Sequence, residues 1–167
     1  RYNLVDKKND FVFESDEEGK VKVLDTSCFI KTTEKGEVLI DPLHKKIQNA
    51  VAKLIKKDYV HPYVETGLSD AEGQRVDIKG IFKETGEWHY FEIKTDSAKK
   101  SIREALGQIL EYAHYPNMQR ATKLFIVGPQ QPDDKDTAYM EFIRKTYGIP
   151  VWFRWYSFEQ NKLYDGI

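Results

Sequence analysis

The sequence predicts an α/β fold, a mixed β-sheet flanked by helices and preceded by a short N-terminal β segment. Three observations predict it. From Asp41 onward, segments with helical spacing of apolar residues alternate with short strand-like runs, in the order α-β-β-β-α-β-α-β. Lys123-Leu-Phe-Ile-Val-Gly128 is a continuous apolar run, the pattern of a central strand covered on both faces. Two alternating runs, Arg75 to Ile81 and Phe91 to Thr95, bracket the turn-forming stretch Lys83-Glu-Thr-Gly-Glu87 and read as a hairpin.

The bulk properties bound the answer. A chain of 167 residues with 40% hydrophobic residues can build one core, with residues 1–40 as a β-rich segment or the tail of an upstream domain and residues 41–167 as the main domain. No apolar run is long enough for a membrane-spanning helix. The single cysteine, Cys28, excludes an intrachain disulfide framework and a cysteine-rich zinc site, and it fits a reducing, cytoplasmic setting. A net charge of −1 does not mark the whole surface for nucleic acid, so any such surface is local. The chain opens on Arg1 rather than Met and is expected to be a piece of a longer protein.

Within residues 1–40, Phe11-Val-Phe13 and Val21 to Leu24 read as strands around the turn Ser15 to Gly19, whose Asp16, Glu17 and Glu18 suit a solvated loop. Cys28 to Ile30 and Glu37 to Ile40 bracket a second turn, Thr33-Glu-Lys-Gly36. Asp41 as N-cap and Pro42 at the first helical position open a helix, with Leu43, Ile47, Ala50, Val51, Leu54 and Ile55 as its core face. From Asp41 to Asp58, five lysines against two aspartates leave a local charge of +3, either a solvated face or a track for phosphates. His44 and Gln48 stand one turn apart on this helix and are candidates for supporting or contacting a substrate.

Tyr59 to Glu65 reads as a strand that Pro62 assigns to a sheet edge or a strand start. It leads into the loop Thr66 to Gly73, with Glu65 at its end either as a surface carboxylate or as an additional oxygen ligand, and His61 as a polar strand residue. After the hairpin, a helix runs to about Tyr115 with Ile102, Ala105, Leu106, Ile109 and Ala113 as its core stripe and Gln108 and Tyr112 together beside it. Lys99, Lys100 and Arg103 at its start, with the exposed N–H groups there, suit a phosphate. A helix over Asp136 to Tyr147 is expected to turn Tyr139, Phe142, Ile143 and Tyr147 inward, and Pro150 to Tyr156 alternates as a last strand.

The chemistry concentrates in the hairpin. Asp77, Glu92 and Lys94 stand among Val76, Ile78, Ile81, Phe91 and Ile93, where charge is costly unless it is paired or metal-bound. Side chains alternate faces along a strand, so Glu92 and Lys94 share a face. A two-residue loop at Thr85-Gly86, or a four-residue loop over Glu84 to Glu87, sets Asp77 opposite Lys94 with Glu92 on the diagonal, all on one face; a three-residue loop turns one strand over. The plain alternative is a solvated hairpin with a salt bridge. Two carboxylates suit Mg²⁺, which keeps several waters and takes one or two protein carboxylates. Lys94 would orient or deprotonate a water, or stabilise charge on phosphorus.

This constellation resembles the PD-(D/E)xK nuclease superfamily. Asp77 matches the lone acid of the first half-motif, with Val76 in place of its proline, and Glu92-Ile-Lys94 matches the ExK half across a hairpin. Gln108-Ile-Leu-Glu-Tyr112 is similar to the QxxxY motif of the branch that includes helicase-coupled exonucleases. The αβββαβ core of that restriction-endonuclease-like fold covers about residues 41–129. Many members carry a Glu on the first core helix, where this chain has His44, Lys45, Lys46 and Gln48; Glu65 is the substitute considered. The resemblance implies hydrolysis of DNA phosphodiester bonds with Mg²⁺, or Mn²⁺ in its place. Asp77, Glu92, Glu65 and the Ile93 carbonyl would hold the ion, Lys94, Gln108 and Tyr112 would complete the catalytic set, and Lys99, Lys100, Arg103, His44 and Gln48 would contact DNA. It also implies the setting of a restriction, antiviral defence or repair enzyme, with further domains or a partner subunit, and a homodimer where both strands are cut. Two other classes compete: a binding or structural module that keeps the fold without turnover, and a metal-free glycosidase using the carboxylate pair, in which Lys94 has no role.

Overall fold

The computed structural model describes residues 30–33, 36–39, 42–67 and 75–167. The expected strands Phe11 to Phe13 and Val21 to Leu24, the acidic loop between them, Cys28, the Asp41 cap and most of the loop after Glu65 lie outside the described residues. A two-stranded antiparallel hairpin comes first, β1 (Ile30–Thr33) with β2 (Gly36–Leu39). Thr33 pairs with Gly36, the two ends of the turn the sequence suggests.

The rest is α/β. Helix α1 (Pro42–Ile55) leads into β3 (Tyr59–Gly67), β4 (Arg75–Phe82) and β5 (Trp88–Ile93). Helix α2 (Ala98–His114), β6 (Lys123–Gly128), α3 (Asp134–Tyr147), β7 (Val151–Ser157) and the short β8 (Lys162–Leu163) follow. Strands β3 to β8 form one six-stranded sheet in sequential order. It is mixed: β3, β4 and β5 pair antiparallel, β5, β6 and β7 pair parallel, and β8 turns back on β7. The predicted order from α1 holds, with β8 as an addition. β3 lies at the sheet edge and its register shifts between Val60 and Tyr63, around Pro62, because proline has no N–H for the ladder.

Each sheet face has its own apolar core. On one face, Ile102, Ala105 and Ile109 of α2 and Met140 and Ile143 of α3 cover Tyr90, Leu124, Ile126, Val151 and Phe153. On the other, Ile47, Val51 and Ile55 of α1 cover Ile78, Phe91, Ile93 and Val127. All six residues of β5 are buried, Glu92 among them.

Helix α1 buries the expected Ile47, Val51 and Ile55, with Ala50 and Leu54 against the same core, and departs from expectation at single positions, whereas α3 turns its expected aromatic residues outward. In α1, Leu43 is exposed, while Gln48 and Asn49 are buried beside Ile47 and Val51. In α3, Tyr139, Phe142 and Tyr147 face solvent and Met140 and Ile143 face the sheet. Helix α3 begins two residues earlier than expected because Asp133 caps it in a reciprocal capping box with Asp136. Among the described residues no helix is long and apolar enough to cross a membrane.

Candidate active site

The hairpin that carries the charges reverses over Lys83 to Gly86. Phe82 donates its N–H to Glu87 O at 2.8 Å and Gly86 donates to Phe82 O at 2.8 Å, with Gly86 at φ 70°, a left-handed conformation that glycine adopts without strain. Ile81 therefore pairs with Trp88 and Ile78 with Phe91. This corrects the expected register by two residues: neither a Thr85-Gly86 loop nor a Glu84 to Glu87 loop forms. The position across from Asp77 is Glu92, and Lys94 is its diagonal neighbour. A slip of two leaves every side chain on its face, because the strand repeat is two. Glu92 and Lys94 share the face that α2 covers, while the Asp77 carboxylate, across from Glu92 at the end of the ladder, meets His44 of α1.

The β4–β5 ladder ends at the pair Ile78 and Phe91. Ile93 has the next N–H on β5 that points toward β4. It donates to Asp77 Oδ2 at 2.8 Å, so a side chain takes the place of a main-chain carbonyl and the strands fork there. In an antiparallel strand the N–H and C=O of one residue face the same neighbour, so the Ile93 carbonyl is also directed to the Asp77 side of the fork. Lys94 N–H turns the other way, to Val127 O at 2.8 Å.

Two helices close on the fork. From α1, His44 Nε2 lies 3.1 Å from Asp77 Oδ2, and Gln48 donates Nε2–H to the main-chain oxygen of Asp77 at 2.7 Å. From α2, Gln108 Oε1 accepts from Lys94 Nζ at 2.9 Å, and Gln108 Nε2 donates to the Tyr112 hydroxyl at 2.6 Å. Lys94 Nζ also donates to Glu92 Oε1 at 2.9 Å. The chain Glu92–Lys94–Gln108–Tyr112 thus runs across β5 into α2, and the triad His44–Asp77–Gln48 runs across β4 into α1.

The electrostatics follow from burial. Glu92 is 2% exposed. Burial pushes its carboxyl up, the Asp77 charge pushes it further, and Lys94 and His44 pull it back only in part, leaving it at about 7. Burial opposes charge on the His44 ring, but the hydrogen bond and charge of Asp77 outweigh it, so the ring is more basic than an ordinary histidine. Burial likewise raises the Tyr112 hydroxyl, against the bond from Gln108. Glu92 Oε2 is buried with no hydrogen-bond partner.

The other expected site residues fall as follows. The register of β3 on β4, with Val64 on Ile78 and Thr66 on Val76, sets the Glu65 position opposite Asp77, so Glu65, Asp77 and Glu92 occupy one row over three strands. The Glu65 side chain itself lies outside the described ones. Lys99, Lys100 and Arg103 are exposed, and Lys100 is engaged by Asp96 at 2.5 Å and Glu104 at 3.8 Å. At 3.6 residues per turn Lys99 and Arg103 lie on the far side of α2 from Gln108, so the structure does not bring them to the fork.

Two features of the site were missed in the sequence. The Ile93 N–H anchors Asp77. Lys79, two residues along β4, is fully buried on the same face with Nζ 5.7 Å from the Trp88 ring centre. Strand alternation was the signal for Lys79.

Among the described residues no three His, Cys, Asp or Glu side chains stand close enough to hold an ion as a ready cage. The donor set nevertheless fits Mg²⁺ or Mn²⁺, which need only one or two carboxylates besides water. Glu92 Oε2 offers a buried oxygen without a partner, and Asp77 and the Ile93 carbonyl face the same fork. No protein-family model matches the chain, and no curated protein or solved structure does either.

Proposed function

We propose that this chain is a divalent-metal-dependent nuclease that hydrolyses DNA phosphodiester bonds, with a restriction-endonuclease-like PD-(D/E)xK site on its α/β scaffold. The observation that carries the reading is Glu92. A carboxylate 2% exposed, with one oxygen on Lys94 and the other without a partner, beside the Asp77 charge, is costly to keep in a fold that does not use it. Its conflict with Asp77 is relieved by a cation.

Asp77, Glu92 and the Ile93 carbonyl would hold Mg²⁺, with the Glu65 position in the same row. When bound, the ion polarises the phosphoryl group and acidifies a water. The protein's part is to keep Asp77 in place through Ile93 N–H and His44, and to keep Lys94 Nζ between Glu92 and Gln108. There Lys94 can hold a proton or a developing negative charge. A defence, restriction or repair setting, with DNA as partner, belongs to the same reading.

A second reading has one observation in its favour. Lys94 on Glu92 and His44 on Asp77 form pairs that neutralise the carboxylates without a metal, as a binding module of this fold would. One experiment separates the two. Plasmid, linear duplex and single-stranded DNA are incubated with Mg²⁺, Mn²⁺ or EDTA, with the wild type, Asp77→Ala and Lys94→Ala. Cleavage that needs the ion and both residues supports the nuclease. Cleavage that survives EDTA or either substitution overturns it, and retention of DNA without cleavage under every ion supports the module.

A further inference from the structure

Gln48 is fully buried on α1, and the chemistry of its one contact fixes the direction of its amide. A main-chain carbonyl only accepts hydrogen bonds, so the group 2.7 Å from Asp77 O is the NH₂ and not the oxygen. The Oε1 atom is thereby turned away from that carbonyl, and it is buried without a hydrogen-bond partner. An orphaned buried acceptor costs about 1–3 kcal/mol. Isosteric methionine would remove that penalty together with the bond to Asp77 O, so the clamp accounts for Nε2 and leaves Oε1 without a use in the metal-free fold. The neighbours are those of the fork: His44, one turn away on the same helix face, is bonded to the carboxylate of the residue whose main chain Gln48 holds.

We propose that Gln48 is a positioning residue of the metal site. Nε2 clamps the main chain of Asp77, and Oε1 accepts a hydrogen bond from a water in the shell of the ion that Asp77 and Glu92 hold. This rests on the nuclease reading and deepens it. It differs from a substrate contact, because a side chain with no exposed surface does not reach a DNA backbone. It also differs from a purely structural clamp, which needs Nε2 alone. A water on a divalent cation is a strong hydrogen-bond donor, and outer partners of this kind typically change metal affinity 10–100-fold.

The test compares Gln48→Met, which keeps the volume and removes both polar atoms, with Gln48→Glu, which loses the donor and keeps an acceptor oxygen. Mn²⁺ binding is measured by calorimetry, thermal unfolding is recorded without metal, and plasmid cleavage is followed in parallel. The expected result is Mn²⁺ binding at least about tenfold weaker in Gln48→Met, restored to within about threefold of wild type in Gln48→Glu. Both variants lose metal-free stability, because both lose the clamp. Equal Mn²⁺ affinity in wild type and Gln48→Met leaves only a clamp and overturns the inference. Should Gln48→Met not fold, Gln48→Glu decides alone: wild-type-like Mn²⁺ affinity with lowered metal-free stability supports it, and a tenfold loss of affinity overturns it. A wild type that binds no Mn²⁺ and cuts no DNA overturns this inference together with the nuclease reading, whereas a wild type that binds and cuts beside an unaffected Gln48→Met overturns this inference alone.

Discussion

Asp77 Oδ2 accepts the main-chain N–H of Ile93 at 2.8 Å, where the next rung of the β4–β5 ladder would otherwise lie. One carboxylate thus ends a strand pairing and stands across from Glu92. The bond needs an acceptor at this position and the effect on Glu92 needs a charge, so the two can be separated. Asparagine keeps an acceptor oxygen for Ile93 and removes the charge. Asp77→Asn is expected to cost roughly 1 kcal/mol of stability or less, in line with a neutral hydrogen bond replacing a charged one. It should also move the Glu92 titration downward, since the Asp77 charge holds it up. Carbon-13 NMR of the glutamate carboxyls reads the second effect, and an unmoved Glu92 would mean that the two charges do not interact.

Glu92 also sets a dependence of stability on pH. Its folded value of about 7 lies above its ordinary 4.5, so the folded state holds a proton that the unfolded chain releases between these values. Stability from this group is fully present below about 4.5 and is lost as pH rises toward 7, by on the order of 1–3 kcal/mol. His44, raised in the folded state, loses its contribution in the same direction, so the comparison has to be with Glu92→Gln, which keeps His44. Melting curves between pH 5 and 8 should show the wild type losing stability relative to Glu92→Gln. Mn²⁺ should stabilise the wild type more at pH 8 than at pH 6, because at pH 6 it must first displace the Glu92 proton. A pH-independent difference between the two proteins would rule this out.

Lys94 joins the halves of the site, with Glu92 Oε1 and Gln108 Oε1 each 2.9 Å from its Nζ. Lys94→Met keeps the stem and removes the charge. Glu92 loses the cation that pulls its proton off and should titrate still higher. DNA cleavage should fall by roughly 10²-fold or more, the usual scale for losing a charge that stabilises a transition state. Tyr112→Phe removes only the terminal hydroxyl of the chain and should leave cleavage within about tenfold, at a cost of about 1 kcal/mol for one neutral hydrogen bond. Equal losses in the two variants would put the Tyr112 hydroxyl at the chemistry rather than behind it.

The sheet and the charged face were legible in the sequence because both rest on a repeat of two, which Val76, Ile78, Phe91 and Ile93 display. The register was not, because it depends on which turn residue takes the left-handed conformation. That residue is Gly86, and it closes a loop over Lys83 to Gly86, one position earlier than the four-residue reading of the turn. Because the slip was even, Glu92 came to stand across from Asp77, although the Asp77 carboxylate reaches His44 of α1 rather than the α2 side. Gln48 and Asn49 were invisible as core residues, since helical periodicity is read from apolar residues and both are polar. Glu65 was legible as a strand position near the site, and its row with Asp77 came only from the pairing of β3 with β4.

Helix α3 gives the clearest stability test of where sequence pattern and packing part. Of the expected inner residues Ile143 is buried, but Tyr139, Phe142 and Tyr147 face solvent and Met140 takes the core position instead. Met140, unbranched and adaptable, sits in the core with Leu124 and Val151 with no exposed surface. Met140→Ala should cost about 2–5 kcal/mol, the range for emptying a core position. Phe142, 51% exposed and edge-on to Tyr147 at 5.7 Å between ring centres, has far less to lose, and Phe142→Ala should cost about 1 kcal/mol or less. Urea unfolding of the two variants checks the order. A larger loss at Phe142 than at Met140 would turn the helix back to the face that its aromatic residues suggest.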